Sequence, residues 1–140
     1  DYDFDIGIFY EDKDIVFKLD APYSFITPKN DNELVSAYQQ SSIFVTCSHE
    51  EGFGLTPLEA MACGTPVVCT DSGGINDYAT NEENCIMVPV KNIVGIANAI
   101  DLLLNDNKLI DKFIKNGRQT ATNFDWKIIG LKYHNFFSGK

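Results

Sequence analysis

Residues 43–70 read Ile43-Phe44-Val45-Thr46-Cys47-Ser48-His49-Glu50-Glu51-Gly52-Phe53-Gly54-Leu55-Thr56-Pro57-Leu58-Glu59-Ala60-Met61-Ala62-Cys63-Gly64-Thr65-Pro66-Val67-Val68-Cys69-Thr70. Two β-rich runs bracket the stretch, Ile43 to Ser48 and Pro66 to Thr70. Their apolar cores, IFV and VVC, are continuous instead of alternating, as strands covered on both faces should be. Between them the spacing predicts a helix over Pro57 to Cys63. Thr56 is its expected N-cap, Pro57 fits the first helical position, and Glu59 completes a T-x-x-E capping box. Gly64 is placed to end it in the C′ position, and Pro66 opens the next strand. Strand, helix and strand in that order form a parallel pair joined by a right-handed crossover.

The pattern extends in both directions. Further strands are expected at Ile6 to Tyr10, Tyr23 to Thr27 and Cys85 to Val90, and helices at Asp31 to Gln40, Ile75 to Ala79 and Ile93 to Leu104. Beyond Leu104 the apolar spacing is purely helical, over Asn107 to Thr120 and over Asp125 to Phe137, with Asp125 a natural N-cap. Alternating strands and helices give the fold class: α/β, a Rossmann-like doubly wound parallel sheet closed by C-terminal helices. No repeat, linker or low-complexity tract interrupts residues 1–140, so a single domain is expected. A chain of 140 residues buries roughly two thirds of the surface its unfolded form exposes.

Composition narrows the function. Ten Phe, six Tyr and a Trp among 44% hydrophobic residues exclude a disordered chain. Eleven Lys and Arg against twenty Asp and Glu leave a net charge of −9, which repels nucleic acid and anionic membrane surfaces alike. Cys47, Cys63, Cys69 and Cys85 form no C-x-x-C pair and lie in or beside apolar runs, as free thiols in a reducing cytoplasm would. His49 and His134 stand far apart without metal-ligand spacing, so no metal is expected. No apolar run is long enough to span a membrane, and the first residues lack a signal peptide's charge and apolar core. Asp1 in place of an initiating Met reads as a piece of something longer.

In doubly wound sheets ligands sit at the carboxyl ends of strands, which directs attention to the loop after Ile43 to Ser48. Gly52 and Gly54 let a ligand approach the main chain, and the amides at the following helix start favour an anion such as phosphate. Glu51 at the mouth of this loop is either a solvated charge or a ligand contact. Glu59 is either a cap or a second contact.

At these residues the chain resembles a known family. The stretch EGFGLTPLEAMACGTPVVCTDSGG, Glu51 to Gly74, is similar to the signature of the retaining group 1 glycosyltransferases, family 4, of the two-domain GT-B fold. Their E-x7-E pair corresponds to Glu51 and Glu59. Phe124-Asp125-Trp126 is like the family's F-x-W, and the likeness runs from about Asn32 to the closing helix. The resemblance implies most of a GT-B C-terminal domain that binds a nucleotide-sugar donor, with the N-terminal acceptor domain absent and the chain alone inactive. It assigns Glu51, the catalytic candidate, to hydroxyls of the donor sugar. The amides of Phe53 and Gly54, after Gly52, then face the sugar, those of Leu55 and Thr56 face the diphosphate, and Glu59 accepts bonds from the ribose hydroxyls. Ile26 and Thr27 are the candidate nucleobase contacts. The implied reaction transfers a hexose-type sugar to a hydroxyl of a carbohydrate or lipid-linked acceptor, in cell-surface polysaccharide or glycolipid synthesis. It retains anomeric configuration and requires no cofactor or metal. The setting is cytoplasmic, with any approach to the membrane made by the absent domain.

Lesser candidates and departures complete the reading. Ser72-Gly73-Gly74 resembles a family turn and is read as shaping the cleft, Asp77 as a turn residue, and His49 as no general base. Trp126 and Phe136-Phe137 are core or inter-domain packing, in a helix that an isolated chain could leave exposed. Cys47 stands where the family has Pro, and Thr27 where it has Gly. The Arg and Lys with which the family holds the pyrophosphate have no match in residues 1–22, where Lys13 and Lys18 lie too close to the Tyr23 strand. A non-catalytic nucleotide-binding α/β module remains the alternative, and a GT-B relative that uses phosphate as acceptor is a third reading.

Overall fold

A computed structural model describes residues 5–9 and 20–139. The chain divides into two compact units, Asp1–Ala37 and Tyr38–Lys140. In the first, β1 (Ile6–Phe9) and β2 (Tyr23–Ile26) pair in parallel with Ile6 opposite Tyr23. Expected strand residue Tyr10 lies outside the described residues, as do Lys13 and Lys18. Helix α1 (Asp31–Gln40) starts in this unit and ends in the second. Its start is held reciprocally: Asn30 Oδ1 accepts the Glu33 amide, and Glu33 Oε2 accepts the Lys29 amide.

The second unit holds β3 (Phe44–Thr46), α2 (Leu55–Cys63), β4 (Val67–Thr70), β5 (Ile86–Val88), α3 (Ile93–Asn105), α4 (Asn107–Thr122) and α5 (Trp126–Phe137). Its sheet has the order β3-β4-β5, all parallel, with Phe44 opposite Val67 and Val68 opposite Ile86. Every residue of the central strand β4 is buried, which explains its unbroken apolar sequence. Val68 joins Val88, Ala99, Leu103 and Phe113 in a core completed by Ile43, Ile86, Ile96 and Ile100. On α2, Pro57, Leu58, Ala60 and Met61 are buried, and Met61 packs against Gly117 of α4.

Several expected helix ends hold. The Gly64 amide donates to the carbonyls of Ala60 and Met61 at the end of α2, and Asp125 accepts the Lys127 amide at the start of α5. Asn92 and Asp106 cap α3 and α4 in the same way.

Two expectations are corrected. Helix α2 starts at Leu55, so Thr56 lies inside the first turn instead of capping it, and the T-x-x-E box does not form. The preceding residue, Gly54, takes the left-handed conformation at φ 75° with no side-chain cap, and this turns the chain into the helix early. Ile75 to Ala79 is replaced by a 3-10 turn over Gly74–Asp77. Helix α5 buries none of its residues, the exposed case the sequence allowed for: Trp126 is 85% exposed and Phe136 and Phe137 79% each, and among the described residues they enter no core.

Candidate functional site

The site is built from two strand ends and one helix start. The loop after β3 is zipped to the loop after β4: the Glu51 amide donates to the Ser72 carbonyl at 2.7 Å, and the Gly74 amide donates to the Glu51 carbonyl at 3.0 Å. Gly74 is required there, because a Cβ on it would stand 2.1 Å from the Gly52 carbonyl oxygen. Ser72-Gly73-Gly74 therefore holds the glycine loop in shape through its backbone. Asp77 closes the 3-10 turn that follows.

Each carboxylate of the pair is gripped by one hydroxyl. Ser48 Oγ donates to Glu51 Oε1 at 2.7 Å, and Thr46 Oγ1 lies 3.3 Å from Ser48 Oγ. Tyr38 Oη donates to Glu59 Oε2 at 3.0 Å. Glu59 thus points to a partner 21 residues upstream instead of to its own helix end, the physical reason that the capping reading fails. Both carboxylates are half-buried, and each keeps its second oxygen outside these bonds.

The loop itself is anchored from behind. Tyr78 Oη donates to the Gly54 carbonyl. The Phe53 ring packs against Tyr78 at 5.2 Å and Phe124 at 5.6 Å. The Phe53 side chain is thus half-buried against these two rings. Burial, then the neighbouring thiols and the Glu51 carboxylate, push the Tyr78 phenol far above its ordinary range, so it remains a donor. Burial first, and then Glu59, do the same for Tyr38.

At the helix start, Leu55 and Thr56 are the first two residues and Pro57 the third. Pro57 has no N–H, so the Leu55 and Thr56 amides are the first-turn donors ahead of the i→i−4 ladder. An α-helix presents partial positive charge at that end. The arrangement can take an anion at the two amides and hydroxyl donors at the two carboxylates.

Other candidates lie elsewhere. His49 lines a cavity of about 270 Å³ over the strand ends with Cys47, Thr70 and Lys91. Ile26 and Thr27 belong to the first unit, where Ile26 packs over Gly7. Among the described residues no three His, Cys, Asp or Glu side chains gather as a metal site would need. Sequence reasoning missed Tyr38 and Tyr78, whose partners lie 21 and 24 positions away. Only Ser48, three residues before Glu51, stood at a spacing that could have given it away.

The profile of the family described as glycosyl transferases group 1 matches residues 17–120. The chain belongs to that family. It is 35% identical over 102 residues to the N,N'-diacetylbacillosaminyl-diphospho-undecaprenol alpha-1,3-N-acetylgalactosaminyltransferase of Campylobacter jejuni, covering 73% of this chain and 27% of that one. Among solved structures, the C-terminal domain of the group 1 glycosyl transferase LpcC from Francisella tularensis is 37% identical, with a TM-score of 0.66 over 74% of this chain and 54% of its own. A TarM variant from S. aureus in complex with fondaparinux, alpha-GlcNAc-glycerol and UDP is 26% identical, with a TM-score of 0.71 over 82% of this chain and 23% of its own. The mixed α/β fold with parallel strands is thus that of GT-B glycosyltransferases, and the group 1 chain spans about a quarter of the length of the curated relatives it matches.

Proposed function

We propose that this group 1 chain supplies the donor-binding part of a retaining glycosyltransferase, which moves a hexose-type sugar from a nucleotide diphosphate to an acceptor hydroxyl. One observation carries the reading: the left-handed Gly54 leads straight into α2, so that the Leu55 and Thr56 amides follow a loop whose carboxylate, Glu51, is already held by Ser48. Glu51 orients the sugar hydroxyls, with the Gly52, Phe53 and Gly54 backbone beside it. Glu59 accepts the ribose hydroxyls. As the glycosidic bond breaks, charge develops on the leaving diphosphate and meets the two amides and the helix dipole. The dipole is worth about 0.3–2 kcal/mol to an anion, so it orients the diphosphate and leaves most of the charge to basic groups upstream of β2 or beyond this chain. No metal or cofactor enters this scheme.

The acceptor is a carbohydrate or a lipid-linked saccharide held by an N-terminal domain outside this chain, and the pathway is cell-surface polysaccharide or glycolipid synthesis on the cytoplasmic side. The Campylobacter relative, whose name specifies an undecaprenol-linked acceptor, supports this choice. Among the described residues no helix is long and apolar enough to cross a membrane.

The test is an amide-resolved NMR titration with UDP, GDP and ADP, each free and as its glucose or mannose conjugate. Shifts centred on Gly52 to Glu59, larger with the sugar attached, are expected for one nucleotide. Equal shifts with and without sugar favour a plain nucleotide-binding module, and shifts that avoid these residues overturn the reading.

A further inference from the structure

The Tyr38 phenol is 2% exposed, yet its one donor is spent on a half-buried carboxylate of the site. The tyrosine cannot swing away from that task. Its ring lies edge-on to Phe44 at 5.5 Å, and its carbonyl accepts a 2.7 Å bond from the buried Thr65 hydroxyl. A phenylalanine would fill the same space with no polar group to satisfy, so core packing alone does not call for the hydroxyl.

What the hydroxyl does is fix Glu59. A free glutamate on a helix surface samples many rotamers, and a ligand must order it at an entropic cost. Here Oε2 is tied to a rigid phenol before any ligand arrives. A carboxylate offers about four lone-pair sites, so one bond from Tyr38 leaves acceptor sites on both oxygens. That is the complement of two adjacent hydroxyls, and a single hydroxyl uses only half of it.

We propose that Tyr38 is a positioning residue that locks Glu59 into a two-point acceptor for a vicinal diol and so makes the site selective for ribonucleotide over 2′-deoxyribonucleotide diphosphates. The inference rests on the assignment of Glu59 to the ribose. It assigns Tyr38 no contact with ligand, and it adds to the proposed function the group that orders Glu59 before a nucleotide arrives.

The test compares UDP, GDP and ADP with their 2′-deoxy counterparts on the native 140-residue chain, on Tyr38→Phe, on Glu59→Gln and on the double variant. For the nucleotide that binds tightest, the native chain is expected to prefer the ribose form about tenfold, the worth of one hydrogen bond to a charged group. Tyr38→Phe should cut that preference to about twofold while melting within a few degrees of native. The double variant should lose no more preference than Glu59→Gln alone, because the two side chains act as one unit. If the native preference is tenfold and Tyr38→Phe retains it, or if the losses add, the Tyr38 inference is overturned and the Glu59 assignment stands. A native preference near unity, or no binding of any of the six nucleotides, overturns the Glu59 assignment and the Tyr38 inference with it.

Discussion

Helices α2 and α5 are of similar length and both carry apolar residues, yet α2 buries Pro57, Leu58, Ala60 and Met61 while α5 buries nothing. The difference is one of neighbours. Helix α2 connects β3 to β4 and packs on α4, so Pro57, Leu58, Ala60 and Met61 meet other side chains while Leu55, at its start, stays exposed. Helix α5 is the last of three helices after β5, and unlike α3 and α4 it buries no residue, so its Trp126, Phe136 and Phe137 meet solvent. An apolar stripe states that a helix wants a partner; it does not state that the partner is in the same chain.

Stability measurements can break this contrast at its strong end. Met61 is 1% exposed, and Met61→Ala should cost about 2–5 kcal/mol in denaturant unfolding, through lost transfer energy and the cavity left against Gly117. A loss below 1 kcal/mol would show α2 to be as loosely held as α5. The next effect is chemical. Glu51→Gln, in an enzyme that carries this domain with its acceptor domain, should lower turnover about 100-fold, the worth of a group that orients the reacting sugar, with the melting temperature unchanged. Near-normal turnover removes Glu51 from the mechanism.

Smaller effects sharpen the comparison. Ser48→Ala leaves the Glu51 backbone bonds to Ser72 and Gly74 in place and frees only its carboxylate. The affinity gained from the sugar, read as sugar nucleotide against bare nucleoside diphosphate, should fall about tenfold. Least affected of all, Trp126→Ala should change unfolding by less than about 0.5 kcal/mol, as expected of a side chain that is 85% exposed. A loss comparable with that of Met61→Ala would show that α5 is packed in solution.

How much was legible follows from the range of each interaction. The continuous apolar runs in Ile43 to Ser48 and Pro66 to Thr70 marked two parallel strands, but only β4 is buried on both faces; in β3 Val45 is 37% exposed, so there the run located the strand without giving its burial. Gly64 and Asp125 marked helix ends, because caps act within a turn. The box Thr56 to Glu59 misled because its spacing satisfied a local rule, while the left-handed Gly54 starts the helix at Leu55 and Glu59 bonds to Tyr38 instead. Local preference also failed at Ile75 to Ala79, where zipping Glu51 against Ser72 and Gly74 leaves room for only one tight turn.

The sequence by itself determined the family, the parallel α/β class and the two acids that flank the glycine loop, since each rests on neighbouring residues or on a short spacing. Tertiary structure alone decided how Glu59 and the carbonyl of Gly54 are held. Tyr38 reaches Glu59 across 21 positions and Tyr78 reaches the Gly54 carbonyl across 24. Such bonds depend on how strands and helices stack in space, where residues far apart along the chain become neighbours and no periodicity records which ones meet.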